Sequence, residues 1–204
     1  NQVIGSVEDT IDISALCYLI KQSTEIYSNE ENQEIANTLL PHFFSVESEV
    51  SLKLACKLTL KLAKINGVVI PDELIEPIIE LINSPVSKAA TSALLRIVQE
   101  NSGNQEMLNQ HADEIYDLEL TAGVEDVTRC IEEDECVPEF TDRMNLIAQF
   151  VPLIEDPSDE RISFIIQSAF EHDISCLIKG IPNLCYAIIA ANKEISFHVS
   201  ALIS

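Results

Sequence analysis

The chain has no tryptophan, only five glycines and eight prolines, and twelve basic residues against thirty-four acidic ones. Each shortage excludes something. So little Gly and Pro excludes a collagen-like, mucin-like or low-complexity chain, and with 47% apolar and 23% charged residues a wholly disordered one is excluded as well. A formal net charge of −22 removes the phosphate attraction that drives nucleic-acid and anionic-membrane binding, so neither is expected as a partner. Long apolar runs are missing too: Leu184 to Ala191, broken by one Tyr, falls far short of the ~20 residues that span a bilayer. A soluble protein, cytoplasmic or nuclear, is the expectation. The six cysteines sit at wide spacings inside apolar segments and no Asn-x-Ser/Thr acceptor occurs, which predicts reduced, buried thiols and no disulfide framework. The chain opens on Asn1 and closes on the uncapped apolar stretch Phe197–Ile203, so we expect a fragment of a longer protein.

What is present is helical periodicity. Apolar residues recur at three- and four-residue steps, as in Ile13, Leu16, Cys17, Ile20, then Val50, Leu54, Leu58, Leu62, Ile65, then Ile162, Ile166, Phe170, which predicts an all-α protein. Val68-Val69-Ile70, bounded by Gly67 and Pro71, reads as an extended connector and not as a sheet strand. Gly67, Gly103, Gly123 and Gly180 fall between periodic segments, with Asn66-Gly67 and Ser102-Gly103 suited to left-handed caps.

The periodic segments repeat. Pro41 returns as Pro77, Val50, Leu54, Leu58 and Leu62 return as Val86, Ala90, Leu94 and Val98, and Gly67 returns as Gly103, all without a gap. A fainter copy follows around Ile115–Ile131, a clearer one at Phe150–Phe170, and a shortened start at Ile181-Pro182. Units of about three dozen residues that cannot bury their faces alone must stack. The expected organisation is one domain, 1–204, with a cap helix at 9–30, repeats at 31–67, 68–103, 104–140 and 141–180, and a partial repeat at 181–204.

Residues 74–98, with a Pro-containing helix, a loop ending Ser84-Pro85 and a longer helix bearing small residues, resemble an armadillo repeat. Residues 39–66 and 152–172 are weaker copies, and HEAT repeats are a near alternative. The resemblance implies a right-handed α-solenoid of about four to five armadillo/HEAT-like repeats, a non-catalytic scaffold whose concave groove holds a protein or peptide partner. Contact helices would lie near 47–65, 86–101, 123–131 and 159–172. The Trp and Asn ladder of nuclear-cargo carriers in that family is absent: Lys57, Lys61, Ser92 and Arg96 stand near the equivalent positions. A second implication comes from formins, where arrays resembling this one precede the actin-assembly region and bind a small GTPase. On that reading the chain is the regulatory or autoinhibitory arm of a larger cytoskeletal factor.

Two charge features are candidates for contact. Lys53, Lys57, Lys61 and Lys64 fall within an arc of about 80° on an otherwise apolar helix, and Arg96 stands near the same strip one repeat later. Such a row could clasp acidic or phosphorylated segments, or be the one solvated stripe of a helix buried on its other sides. Residues 113–142 hold twelve acids against Arg129, among them Glu114, Asp117, Glu125, Asp126, Glu132, Glu133, Asp134 and Glu135. This belt could dock a basic surface or serve as a solvated face, and Glu132–Glu135, crowded with like charge before Pro138, reads as a loop. Cys130 and Cys136 are wrongly spaced for zinc, Glu171-His172-Asp173 suits a helix terminus better than acid–base chemistry, and no phosphate cradle or nucleophile motif occurs. No cofactor, metal, small-molecule substrate or enzymatic activity is expected.

Overall fold

The computed structural model describes residues 10–133, 137, 140–155, 157, 159–172 and 178–191. All regular structure among them is helical, and no strand occurs among the described residues. The chain divides into two compact units, Asn1–Gln105 and Glu106–Ser204.

In the first unit, α1 (Thr10–Ser23) leads to α2 (Asn29–Glu34). The start of α2 is fixed by a capping box: the Ser28 hydroxyl accepts from the Glu31 amide at 3.2 Å, and the Glu31 carboxylate accepts from the Ser28 amide at 2.8 Å. Buried Asn32 donates to the Thr24, Tyr27 and Ser28 carbonyls at 3.0, 3.2 and 3.0 Å, which satisfies the inner side of the turn between the two helices. Pro41 then acts on the helix behind it. Lacking an N–H and crowding the carbonyl four residues back, it cannot sit in an unbroken α-helix. The chain opens into a π turn at Ile35–Leu39, with the Leu40 amide reaching the Ile35 carbonyl, before α3 (Leu40–Phe44) resumes.

Helix α4 (Glu49–Ala63) buries Ala55, Cys56, Leu58, Thr59, Leu62 and Ala63 and packs against α1, α3 and α6. At roughly 1.5–3 kcal/mol for each fully buried Leu or Ile, against about 1 kcal/mol at most for an exposed ion pair, apolar contact decides its place. The chain leaves α4 through Gly67, whose φ of +91° is a left-handed conformation that side chains resist. Gly103, expected to do the same, lies instead in a short 3₁₀ turn, Ser102–Asn104, without a positive φ.

Val68–Ile70 is a connector in neither helix nor strand, as the sequence predicts, and side-chain amides from both flanks hold it. Asn29 donates to the Asn66 carbonyl at 2.9 Å. Gln33 both donates to the Val69 carbonyl at 2.8 Å and accepts from the Val69 amide at 2.7 Å. From the other side, Asn101 donates to the Val68 carbonyl at 3.0 Å and Asn104 to the Ile70 carbonyl at 2.7 Å. A segment with no sheet partner thereby has its main chain satisfied by side chains. A 3₁₀ turn, Asp72–Leu74, then delivers α5 (Ile75–Glu80), and a second, Leu81–Asn83, precedes α6 (Ser87–Glu100).

The second unit contains α7 (Gln105–Gln110), which begins at the boundary, α8 (Ala112–Glu133), α9 (Phe140–Phe150), α10 (Glu160–Glu171) and α11 (Ile181–Ala191). Helix α8 packs on α9 and α10, and α9 packs on α11. Two expectations change here. Gly123 is no connector but the middle of one continuous helix, so the contact helix expected to begin at 123 is the second half of α8. Glu132 and Glu133 extend that helix where a loop was expected.

Replacing Gly67 by Ala forces a side chain into the left-handed region and should lower the unfolding free energy by about 1–2 kcal/mol in urea titration, whereas Gly67→Asn, which tolerates that region better, should lose less.

Candidate functional site

The lysine row lies on α4 opposite its buried face, with Lys53, Lys57 and Lys64 exposed and Lys61 half-buried. Lys61 has one acidic contact, Glu25 at 3.7 Å, whose side chain is 85% exposed. The fold adds a lysine that one-helix arithmetic misses. Lys21, from the last turn of α1, stands 5.4 Å above the Tyr18 ring. Burial first, and then the charges of Lys57 and Lys61, hold its ammonium below the usual lysine range. Lys21, Lys57 and Lys61 are thus one cluster supplied by two packed helices. Cys17, one turn earlier on the same side of α1, is fully buried, as is Cys56 of α4. Burial pushes both thiols up to about 12, so neither supplies a thiolate at neutral pH. Arg96 is already engaged inside its own helix, donating to Glu100 at 2.9 Å.

The acidic belt disperses into different roles. Glu114 meets His111 at 2.9 Å and Asp117 meets Arg161 at 2.7 Å, while Glu125, Glu132 and Glu133 are exposed. Asp134 and Glu135, with Cys136 and Glu139, lie outside the described residues, as do Asp173 and the stretch Phe197–Ile203. Asp126 has to be removed from any exposed acid face, because it is 4% exposed and committed to arginines.

Those arginines form a buried ion cluster. Arg143 of α9, 3% exposed, donates through Nη1 to fully buried Glu119 and through Nε to Asp126 at 2.9 Å. Arg129 donates to the other Asp126 oxygen at 2.8 Å. Arg143 leaves water together with both carboxylates, and Arg129, its side chain 41% exposed, balances the remaining negative charge from the solvent side. Gly123 makes room: a Cβ there would meet the Ile165 and Met144 side chains at 3.2 Å and the Arg143 stem at 3.4 Å. Glu119, Gly123 and Asp126 are spaced four and three residues apart on one face of α8, so the missing side chain is the slot through which Arg143 reaches both acids.

A second knot stands at the start of α10. Asp159 caps the helix by accepting from the Arg161 amide at 2.8 Å and pairs with the Arg161 guanidinium at 2.7 Å, which also reaches Asp117 and Thr121. The Arg161 hydrogen bonds hold the Asp159 carboxyl below its ordinary range, against the opposing effect of burial. His172 is the C-cap residue of α10.

Elsewhere in the first unit, a shallow groove of about 490 Å³ runs along α2, lined by Asn29, Glu30, Gln33, Glu34, Asn37, Thr38 and Gly67. Among the described residues no group of three or more His, Cys, Asp or Glu is placed to hold a metal ion, and no helix is long and apolar enough to cross a membrane.

Arg143→Met leaves two buried carboxylates short of a cation and should cost about 3–5 kcal/mol in urea unfolding; adding Glu119→Leu and Asp126→Leu should restore most of that loss. Asp159→Asn keeps a capping oxygen and removes the charge. Since the folded Asp159 pKa is depressed, its contribution is complete above the unfolded value near 3.9 and is lost as pH falls through the folded value. The stability gap between wild type and Asp159→Asn should therefore be constant from about pH 7 to 5 and close below about pH 4.

Compared with known proteins, the chain matches no protein-family model, no curated protein and no solved structure.

Proposed function

We propose that the chain is a right-handed α-solenoid of four to five armadillo/HEAT-like repeats that serves as a non-catalytic protein-interaction scaffold, cytoplasmic or nuclear, binding an acidic segment of a protein partner. Support for stacked repeats comes from the first unit, where α4 is packed between α1 and α6 and where a short Pro-containing helix twice precedes a longer one, α3 before α4 and α5 before α6. In the second unit Pro152 lies in the 3₁₀ turn before α10, and Pro182 opens α11.

The observation that carries the binding proposal is the convergence of Lys21, Lys57 and Lys61 from two helices in a chain of net charge −22. Positive groups gathered on two packed helices are stabilised by an incoming anion. Glu25 already places one carboxylate against Lys61 and marks the chemistry that the cluster accepts. Lys53 and Lys64 extend the strip along α4, while Arg96 contributes less because Glu100 neutralises it.

The test is binding of a fluorescein-labelled, glutamate-rich peptide followed by anisotropy. Lys57→Glu with Lys61→Glu should weaken binding at least tenfold and flatten its salt dependence; unchanged affinity and salt response would remove the strip from the contact surface.

A further inference from the structure

One turn sets a side-chain carboxamide beside a main-chain amide and engages neither. Asn66-Gly67 is the only Asn-Gly step in the sequence, and both residues are exposed where the chain leaves α4. The amides on either side are occupied: Ile65 donates to the Leu62 carbonyl at 3.0 Å and Val68 to the Ile65 carbonyl at 3.1 Å. Asn29 bonds the Asn66 main-chain carbonyl and leaves its side chain alone. Among the described residues, neither the Asn66 carboxamide nor the Gly67 amide has a hydrogen-bond partner. Gly67 has no side chain to obstruct the approach of its nitrogen to that carboxamide. Other asparagines lack the combination. Asn83 is also exposed, but the amide after it, Ser84, donates to the Leu81 carbonyl at 3.2 Å. Asn101 and Asn104 are buried, and their side-chain nitrogens bond the Val68 and Ile70 carbonyls.

We propose that Asn66 is a self-modification site, at which the Gly67 nitrogen closes on the Asn66 side chain and converts it to isoaspartate and aspartate. The Gly67 nitrogen attacks Asn66 Cγ, the new N–Cγ bond completes a succinimide ring, and the Cγ–Nδ2 bond breaks. Ammonia leaves with the proton that Gly67 gives up. Water then opens the ring at either carbonyl, so the net reaction is hydrolysis of an amide and needs no oxidant or reductant. Opening at Cγ restores the ordinary main chain with an aspartate at 66. Opening at the main-chain carbonyl gives isoaspartate: the carbonyl that accepts from Asn29 becomes a free carboxylate, and the backbone now runs through Cβ and Cγ. That route adds one atom to the main chain just before Val68–Ile70, whose carbonyls are held in place by Gln33, Asn101 and Asn104. Their register fits the unmodified length, so isoaspartate loosens the connector while aspartate does not. The isoaspartyl carboxylate also makes the chain a substrate for enzymes that methylate such groups from S-adenosylmethionine. None of this depends on the acid-binding reading of the lysines.

Held in warm, mildly alkaline buffer, the intact chain should release ammonia. Its tryptic peptide Ile65–Lys88 should gain the mass of exchanging NH2 for OH, with fragment ions placing the change at residue 66 and leaving Asn83 as it was. The aged protein should accept methyl groups from S-adenosylmethionine through an isoaspartyl methyltransferase, and Asn66→Gln, whose ring closure is a larger and slower one, should abolish both signals. In urea, the aged protein should unfold at lower concentration in proportion to its methyl acceptance, whereas Asn66→Asp, which brings the charge without the added main-chain atom, should unfold with fresh protein. Three results overturn the inference: an Asn66 that stays intact while the free Ile65–Lys88 peptide converts, conversion that falls equally on Asn83 and Asn101, or a mass gain without methyl acceptance. Aged protein that carries isoaspartate and unfolds with the fresh chain overturns the loosening of the connector.

Discussion

A helix that is apolar around most of its circumference has to be enclosed by neighbours, and α4 imposes that requirement on the first unit. Its Ala55, Cys56, Leu58, Thr59, Leu62 and Ala63 side chains are buried where α1, α3 and α6 pack on it, and the lysines face water on the other side beside half-buried Leu54 and Leu60. Lysine suits that side because a long apolar stem can lie along the packed helices while the charged head stays in water. The candidate contact surface is therefore a by-product of burial: where coverage stops, charge collects, and a charge from α1 is drawn into the same place.

The second unit solves a different problem. Helix α8 carries Glu119 and Asp126 on a face that the fold turns inward, where isolated carboxylates would be prohibitive. Arg143, admitted by Gly123, makes the arrangement tenable. A slipped register of α9 on α8 would strand these charges in an apolar setting. The two halves of the chain thus use opposite devices, apolar enclosure in one and matched buried charge in the other.

The helical class, the strand-free connector at Val68–Ile70 and the left-handed Gly67 were legible because each depends on local rules: periodicity, a bounded apolar triplet, and an Asn-Gly step after a helix. The lysine row was legible for the same reason, Lys53, Lys57 and Lys61 belonging to one helix and Lys64 capping its end. Lys21 was not, because its membership depends on which helix packs on α4 and at what height. Gly123 misled the reading: a glycine between apolar runs resembles a break, and only the close approach of Arg143, Met144 and Ile165 explains why a helix tolerates it. Asp126 misled it in turn, since a count of acids along the chain does not distinguish a solvated carboxylate from one facing a buried arginine.

The connector between α4 and α5 has a mechanical meaning beyond its hydrogen bonds. Its carbonyls are claimed by Asn29 and Gln33 from the preceding hairpin and by Asn101 and Asn104 from the following one, so a single strip of backbone is the joint property of two adjacent modules. Melting either module strips partners from the strip and exposes the other's flank. One short length of main chain thus ties the helices before it to the helices after it.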